Sequence, residues 1–251
     1  MGELFPSLGD PGVTFTAVTQ IGTETAVIIY FWRDIVRIIS HWFKSLPVGP
    51  WKNQVPRNDP DARMGWIVIF GTFPIVILGL LLEGWIDSVF RNLYLTALML
   101  AVFAVLLGLA DRLGKRNKNL GDMTIRDGVT LGFAQSMALI PGVSRSGGTI
   151  TVGLALGYTR SAAARISFLL AIPAVMGSGL YRLFSDDGTG PQAGAMPTLV
   201  ATIAAFIVGF VVIVGFLKLV ETRSYIPFVI YRLILAAAVV FMLGQGILSP
   251  Y

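Results

Sequence analysis

Residues 132–157 read Gly-Phe-Ala-Gln-Ser-Met-Ala-Leu-Ile-Pro-Gly-Val-Ser-Arg-Ser-Gly-Gly-Thr-Ile-Thr-Val-Gly-Leu-Ala-Leu-Gly. An apolar run stops at Pro141-Gly142, presents Ser144, Arg145 and Ser146, and resumes at Gly147-Gly148. A cation and two hydroxyls inside a hydrophobic stretch carry a desolvation cost of several kcal/mol unless something pairs with them. Apolar chain on both sides puts that partner at membrane depth. The bend also has the chemistry of an anion site. Arg145 offers a planar fork that matches phosphate oxygens, the serines offer hydroxyls, and a helix restarting near Gly148 points free N–H groups back at the turn.

The rest of the chain agrees with a membrane setting. Of its 251 residues, 55% are hydrophobic and 13% charged, and the mean hydropathy is +0.74. Soluble domains carry roughly a quarter charged residues, so the composition is that of a polytopic membrane protein. The net charge of +5 does not point to nucleic acid, because the basic residues sit in short loops between apolar runs, where they act as orientation signals. With no cysteine, disulfides, thiolate nucleophiles and cysteine metal sites are excluded. Met1–Gly12 lack the basic region and apolar core of a signal peptide.

Six segments are long and apolar enough to cross a bilayer, which takes roughly 20 helical residues: about 13–32, 64–83, 91–111, 162–184, 197–219 and 227–248. The segment 125–157 differs. Its apolar halves, 128–140 and 147–157, are each too short to span, so a re-entrant helix–turn–helix is expected. Arg33, Arg37, Lys44, Lys52, Arg57 and Arg63 occupy the 33–63 connection, and Arg112, Lys115, Arg116, Lys118 and Arg126 the 112–126 connection. Arg160, Arg165, Lys218 and Arg223 extend that set, whereas the 84–90 and 185–196 loops carry Asp87, Asp186 and Asp187 and no base. The positive-inside rule therefore puts the basic loops in the cytoplasm and both termini outside. The fold class expected is all-α: six transmembrane helices plus one re-entrant hairpin.

From residue 125 the order is hairpin, span, span, span; before it the order is span, span, span. Two copies of one unit would form an inverted repeat, 1–124 and 125–251, the first without its hairpin.

At these residues the chain resembles the undecaprenyl-diphosphate phosphatases, the bacitracin-resistance phosphatases of bacterial membranes. The resemblance rests on Gln135, Ala138-Leu139, Pro141-Gly142-Val143-Ser144-Arg145-Ser146-Gly147 and Ser167-Phe168-Leu169-Leu170-Ala171-Ile172-Pro173. It extends to Phe15, Gln20-Ile21-Gly22, Phe31-Trp32-Arg33, Asp122-Met123-Thr124, Ile226-Pro227-Phe228 and Tyr231-Arg232. It implies hydrolysis of undecaprenyl diphosphate to the monophosphate and inorganic phosphate, recycling the carrier for cell-wall synthesis. It also implies a multi-pass plasma-membrane location with the site facing outside, and a divalent cation, Mg2+ or Ca2+, for which no acidic cluster is evident in this sequence. The family carries a further hairpin near its N-terminus, of the type Glu/Gln-Gly-x-Thr-Glu-Phe-Leu-Pro-Val-Ser-Ser-x-Gly-His. That motif has no counterpart in residues 1–251, so these residues are expected to hold a phosphate-binding half-site with little activity. A start codon placed too far downstream would explain the gap, and a truncated, inactive protein would also fit. Broken helices and inverted repeats are equally features of transporters, and a lipid flippase would bind the same head group, so both remain alternatives.

The site residues expected are Arg145, Ser144 and Ser146 for catalysis, with Gly142, Gly147, Gly148 and Gln135 around the substrate. Ser144 and Ser146 also suit helix capping, which is compatible with a ligand on the same orphan N–H groups. Gln135 suits either the cleft or polar interhelical packing, and Thr149 and Thr151 suit helix packing. Glu24 is ionisable within the first span, with Thr23, Thr25 and Gln20 near enough in sequence to satisfy it. His41, the only histidine, sits beside Trp42 at the inner membrane edge, away from an outward-facing site. Tyr231 and Arg232 read as an anchor at the inner surface rather than as part of the cleft.

Overall fold

Eight α-helices and no strand occur among the residues that the computed structural model describes, which are 13–51, 54–82, 92–185 and 194–250. They are α1 (Val13–Ser45), α2 (Pro60–Leu81), α3 (Leu93–Leu113), α4 (Ile125–Ser136), α5 (Arg145–Ala155), α6 (Arg160–Ser185), α7 (Ala195–Thr222) and α8 (Ile226–Gly244). Residues 1–12, the 84–90 loop and most of the 185–196 loop lie outside the described residues, as does Lys52.

Five of these helices, α2, α3, α6 as far as Gly179, α7 and α8, are long and apolar enough to cross a membrane. The chain is an all-α integral membrane protein. The first expected span is the one that differs. α1 runs for 33 residues, well past the expected end at 32, and its first half is diluted by Gln20, Glu24 and several threonines. Its extension over 33–45 alternates apolar and charged residues with helical period, and tertiary ion pairs hold the charges in place. Asp34 receives Arg165 at 2.6 Å, and Arg37 reaches Asp61 at 2.9 Å. A stretch read as loop from its charges is therefore helix.

The expected helix–turn–helix is present, with its first limb shifted toward the chain start. Thr124 caps α4 through a reciprocal box with Asp127, so the helix begins at Ile125, and a 3-10 turn over Met137–Leu139 ends it. With 12 and 11 residues, α4 and α5 are about 18 and 16 Å long. Neither can cross a bilayer. Glycines let α4 lie directly on α2. A Cβ at Gly132 would collide with the Gly71 backbone, and one at Gly128 would sit 2.7 Å from an Ile67 methyl. Such small-residue contacts bring two helix backbones close where lipid supplies no hydrophobic drive.

The core gathers where the hairpin meets α2 and α6, with Ile67, Leu131, Leu154, Ile166 and Leu170 fully buried. α7, by contrast, exposes Leu199, Ile203, Ile207 and Val211 along its length, as a lipid-facing helix does. At the basic end a buried carboxylate joins three helices. Asp111 of α3 takes two bonds from the Arg160 guanidinium and one from the Tyr225 backbone N–H. Each of its oxygens thus has a donor, which offsets the cost of burying the charge. Near that end Lys118 donates its backbone N–H to the Gly157 carbonyl and accepts from the Thr159 N–H, and Tyr158 donates to Asp127 at 2.8 Å.

Candidate phosphate site at the hairpin turn

The turn between α4 and α5 is shaped by three residues. Gly142 has φ +91°, and a Cβ there would meet the backbone of Thr96, so only glycine brings the turn this close to α3. Ser144 follows with φ 68° and ψ 122°, a conformation that costs a non-glycine residue on the order of 1–3 kcal/mol and that clusters at functional sites. Its hydroxyl then caps α5, accepting from the Gly147 N–H at 3.3 Å. α5 consequently starts at Arg145, three residues earlier than the restart expected near Gly148.

This capping decides which N–H groups remain for a ligand. The Gly147 N–H is taken by Ser144, and the Gly148 N–H is bonded within the helix to the Ser144 carbonyl at 2.9 Å. The first two helical N–H groups, those of Arg145 and Ser146, are the orphans. Gly148 is buried, and a Cβ there would lie 2.9 Å from the Ala134 carbonyl oxygen, so its role in the fold is to bring α5 close to α4. Gly147 is buried below the same turn.

The side chains divide in the same way. Ser144 is exposed, and its hydroxyl lies 3.5 Å from that of the half-buried Ser146. The Arg145 guanidinium is half-buried and has no hydrogen-bond or ion-pair partner among the described residues, although its carbonyl accepts from Thr149 at 2.9 Å. Thr151 likewise bonds back to Gly147 at 2.7 Å. Gln135 is fully buried, and neither amide atom has a partner among the described residues. The structure thus places Gln135 inside the α4 packing surface rather than at the open side of the turn.

One residue outside the expected set belongs to this neighbourhood, and a second stands apart from the partners expected for it. Arg232, expected at the inner surface, reaches the turn: its Nη2 donates to the Gly142 carbonyl at 2.6 Å and to the Val143 carbonyl at 2.9 Å. A Cβ on Gly147 would lie 2.5 Å from its Nη1. The anchoring role stands, but the anchored element is the site itself. The second is Glu24. The hydroxyls expected to satisfy it are committed elsewhere, Thr23 to the Gln20 carbonyl and Thr25 to the Ile21 carbonyl. No spacing rule signals either residue; the available clue was that a charge inside an apolar helix needs a partner.

His41 lies elsewhere. With Asp59 and Asp61 it forms the one group of three potential metal ligands among the described residues, at the junction of α1 and α2. The three are already engaged. His41 pairs with Asp59 at 3.0 Å, Asp59 caps α2 through the Asp61 and Ala62 N–H groups, and Arg37 occupies Asp61. A guanidinium inside the group is a poor fit for a divalent cation. At 1.5 Å per residue, His41 is about 25 Å along α1 from Glu24. Beside Arg145 the described residues form no group of three potential metal ligands.

The family model described as Bacitracin resistance protein BacA matches residues 2–238, which include the hairpin turn and Arg232. The chain belongs to that family. A protein of Micrococcus luteus named Undecaprenyl-diphosphatase is 56% identical, the match covering 99% of this chain and 89% of that protein. One of the same name from Pseudarthrobacter chlorophenolicus is also 56% identical, with the same coverage. The protein of Agrobacterium fabrum named Undecaprenyl-diphosphatase 2 is 55% identical over 99% of this chain and 87% of its own length. Membership in the BacA family, with relatives named Undecaprenyl-diphosphatase, gives the hairpin turn a chemical context: an arginine at a helix N-terminus without a partner among the described residues.

Proposed function

We propose that this protein is an integral-membrane phosphatase that hydrolyses undecaprenyl diphosphate to undecaprenyl phosphate and inorganic phosphate, and so sustains cell-wall synthesis and bacitracin resistance. The names of its relatives support the substrate. The observation that carries the site is the Arg145 guanidinium, half-buried beside an exposed serine and left without a partner among the described residues.

Arg145 takes the terminal phosphate bidentately and stabilises the charge that gathers on its oxygens as the anhydride bond breaks. The N–H groups of Arg145 and Ser146 and the hydroxyls of Ser144 and Ser146 complete the cradle. Arg232 acts through the backbone, holding the two carbonyls that precede Ser144 so that the turn keeps its shape. A divalent cation, where the reaction uses one, would neutralise phosphate charge, but the described residues offer it no protein cage and no step is assigned to it.

The site is read as opening to the outer face of a bacterial plasma membrane. The basic 112–126 connection precedes the hairpin, and the hairpin penetrates to the level of Thr96 near the far end of α3 and Gly79 near the far end of α2. If the basic loops are cytoplasmic, the turn lies nearer the outside. The two halves, 1–124 and 125–251, are read as inverted repeats: α1 packs on α7 as α6 packs on α2, and α3 pairs with α8.

The test is release of inorganic phosphate from undecaprenyl diphosphate by the purified full-length protein in detergent. Arg145→Ala is expected to lower turnover by about 10²–10³-fold, as for loss of one transition-state donor, and Arg145→Lys to recover little, because a point ammonium lacks the fork. Near-normal turnover by folded Arg145→Ala refutes the site, and substrate-dependent flux without hydrolysis refutes the reaction.

A further inference from the structure

At the opposite end of α5 from Arg145 lies a cavity of about 670 Å³, within the range of roughly 300–1,000 Å³ found for ligand sites. It sits where α3 and α5 finish side by side. The two helix ends touch: a Cβ on Gly114, the cap of α3, would lie 2.7 Å from the Leu154 carbonyl oxygen of α5. Beside that contact the seam stays unfilled, because Ala110, Thr151 and Ala155 on its walls are short.

One side of the cavity is apolar and continuous with the lipid-facing surface. Leu106, Leu109 and Leu113 line it. Their spacing puts them on one stripe of α3, and they are 42, 49 and 75% exposed, as side chains that meet lipid are. The other side is polar. After Gly114 the chain turns at Arg116, whose backbone is left-handed with φ 52°, and Lys115, Asn117 and Lys118 around that turn line the rim. Gly157, with φ +91°, faces them from the end of α5, where a Cβ would stand 3.2 Å from the Asn117 Oδ1. The rim is tied to the hairpin's exit, since the Lys118 N–H donates to the Gly157 carbonyl at 3.0 Å and its carbonyl accepts from the Thr159 N–H at 2.9 Å.

The cations of this rim are only partly answered by the protein. The Lys118 ammonium lies 5.4 Å from the centre of the Tyr158 ring, and the Tyr158 hydroxyl is bonded to Asp127, so this lysine already has aromatic and acidic neighbours. Lys115 is exposed and makes no ion pair among the described residues, and the same holds for Arg112 in the last turn of α3. Arg112, Lys115, Arg116 and Lys118 together outweigh Asp122, Asp127 and the roughly half negative charge that each helix end contributes.

We infer that this cavity binds an anionic glycerophospholipid of the surrounding membrane. A water-soluble anion would leave the three leucines without a partner, and a lipid of no net charge would leave the cations without one. An anionic phospholipid answers both. Its phosphodiester sits among Lys115, Asn117 and Lys118, and the start of an acyl chain runs along Leu113, Leu109 and Leu106 toward the membrane interior. Basic pockets at the ends of membrane helices take head groups of this kind. The lipid fills the seam between α3 and α5 and so braces the limb whose far end carries Arg145. The inference is independent of any reaction at that arginine.

The test uses the full-length protein, stripped of lipid in detergent and titrated with phosphatidylglycerol or with phosphatidylcholine. Retained lipid is counted by native mass spectrometry, and the melting temperature is followed in parallel. Phosphatidylglycerol is expected to be held about tenfold more tightly and to raise the melting temperature. Lys115→Gln should lower that preference about fivefold, the share of one basic residue near a head group. Ala155→Phe fills the cavity from an exposed position and should weaken retention of both lipids. Arg57→Gln removes the same charge from an exposed position in another basic connection and should change neither. Equal retention of the two lipids overturns the inference, as does retention of neither. A loss for Arg57→Gln as large as for Lys115→Gln also overturns it, because a general surface field would then be the cause. So does an unaltered preference in Lys115→Gln, undiminished retention by folded Ala155→Phe, or undecaprenyl phosphate held in place of phosphatidylglycerol.

Discussion

Arg232→Met removes the guanidinium while keeping most of the side chain's length and apolar stem, so it isolates the polar role of this residue. Arg232 is only 8% exposed, and one nitrogen supplies both the Gly142 and Val143 carbonyls, at 2.6 and 2.9 Å. Hydrogen bonds to a charged group contribute about 1.5–3 kcal/mol each, and an orphaned buried acceptor costs about 1–3 kcal/mol. Relief of the buried charge's own desolvation offsets part of that loss, the more so because Nε has no partner among the described residues. The net cost expected is about 2–4 kcal/mol. It falls on the turn itself, since the freed carbonyls immediately precede the strained Ser144 and the cap of α5. A relaxed turn tilts the first helical N–H groups and the Arg145 fork away from the phosphate, and a displacement near 1 Å lowers turnover by about 10²-fold. The assay pairs thermal unfolding in detergent with phosphate release measured well below both melting temperatures. The variant should melt several degrees lower and lose activity even where it is fully folded, with Arg232→Lys in between, because one ammonium can donate to both carbonyls only if its shorter reach suffices. Arg232→Met with wild-type melting and turnover would refute the reasoning, and the hairpin turn would then be held by Gly142 and Ser144 alone.

Gly132→Val places a branched side chain where even a Cβ collides with the Gly71 backbone, and it should destabilise the protein by 3 kcal/mol or more, about the upper range for overpacking, seen as loss of the folded peak in detergent chromatography; a folded, stable variant would mean that α4 and α2 can separate. The Asp59 carboxyl gives a pH dependence. Burial alone would raise it, but bonds from the Ala62 and Asp61 N–H groups and from His41 outweigh burial and hold it below the ordinary carboxylate range. Its ionised form therefore stabilises α2 fully above the unfolded value near 4, and that contribution is lost as pH falls through the lower folded value. Asp59→Asn keeps a capping oxygen, so its melting temperature should lie below wild type at neutral pH and converge with it as pH falls below the folded value; a gap independent of pH contradicts the assignment. For topology, a cysteine at Gly188 should react with an impermeant reagent from outside intact cells and one at Asn117 should not, and labelling at Asn117 alone inverts the orientation.

Much of this fold was legible before any coordinates. Runs of apolar residues with Pro-Gly breaks prescribe helices and a re-entrant turn, because in lipid the backbone must satisfy itself and a half-length helix cannot span. Arg145 and its serines were singled out for a related reason, as polar groups set at a break in an apolar run. The sequence alone also supplied a family resemblance, later matched by a family model over residues 2–238. What it did not determine are contacts between groups far apart in the chain. The 33–45 segment looked like loop because its charges are local facts, whereas the partners that make it helix, Asp61 and Arg165, lie on other helices. Arg232 reads as an interfacial anchor until α8 is laid beside the hairpin, 90 residues away from Gly142. Glu24 seemed satisfied by its neighbours, because sequence proximity does not say whether a threonine hydroxyl turns to a side chain or to its own helix. Hydropathy and turn chemistry are properties of the local chain and act at any position. Which charges face one another across a bundle depends on helix packing and depth, and those are decided only when the helices come together.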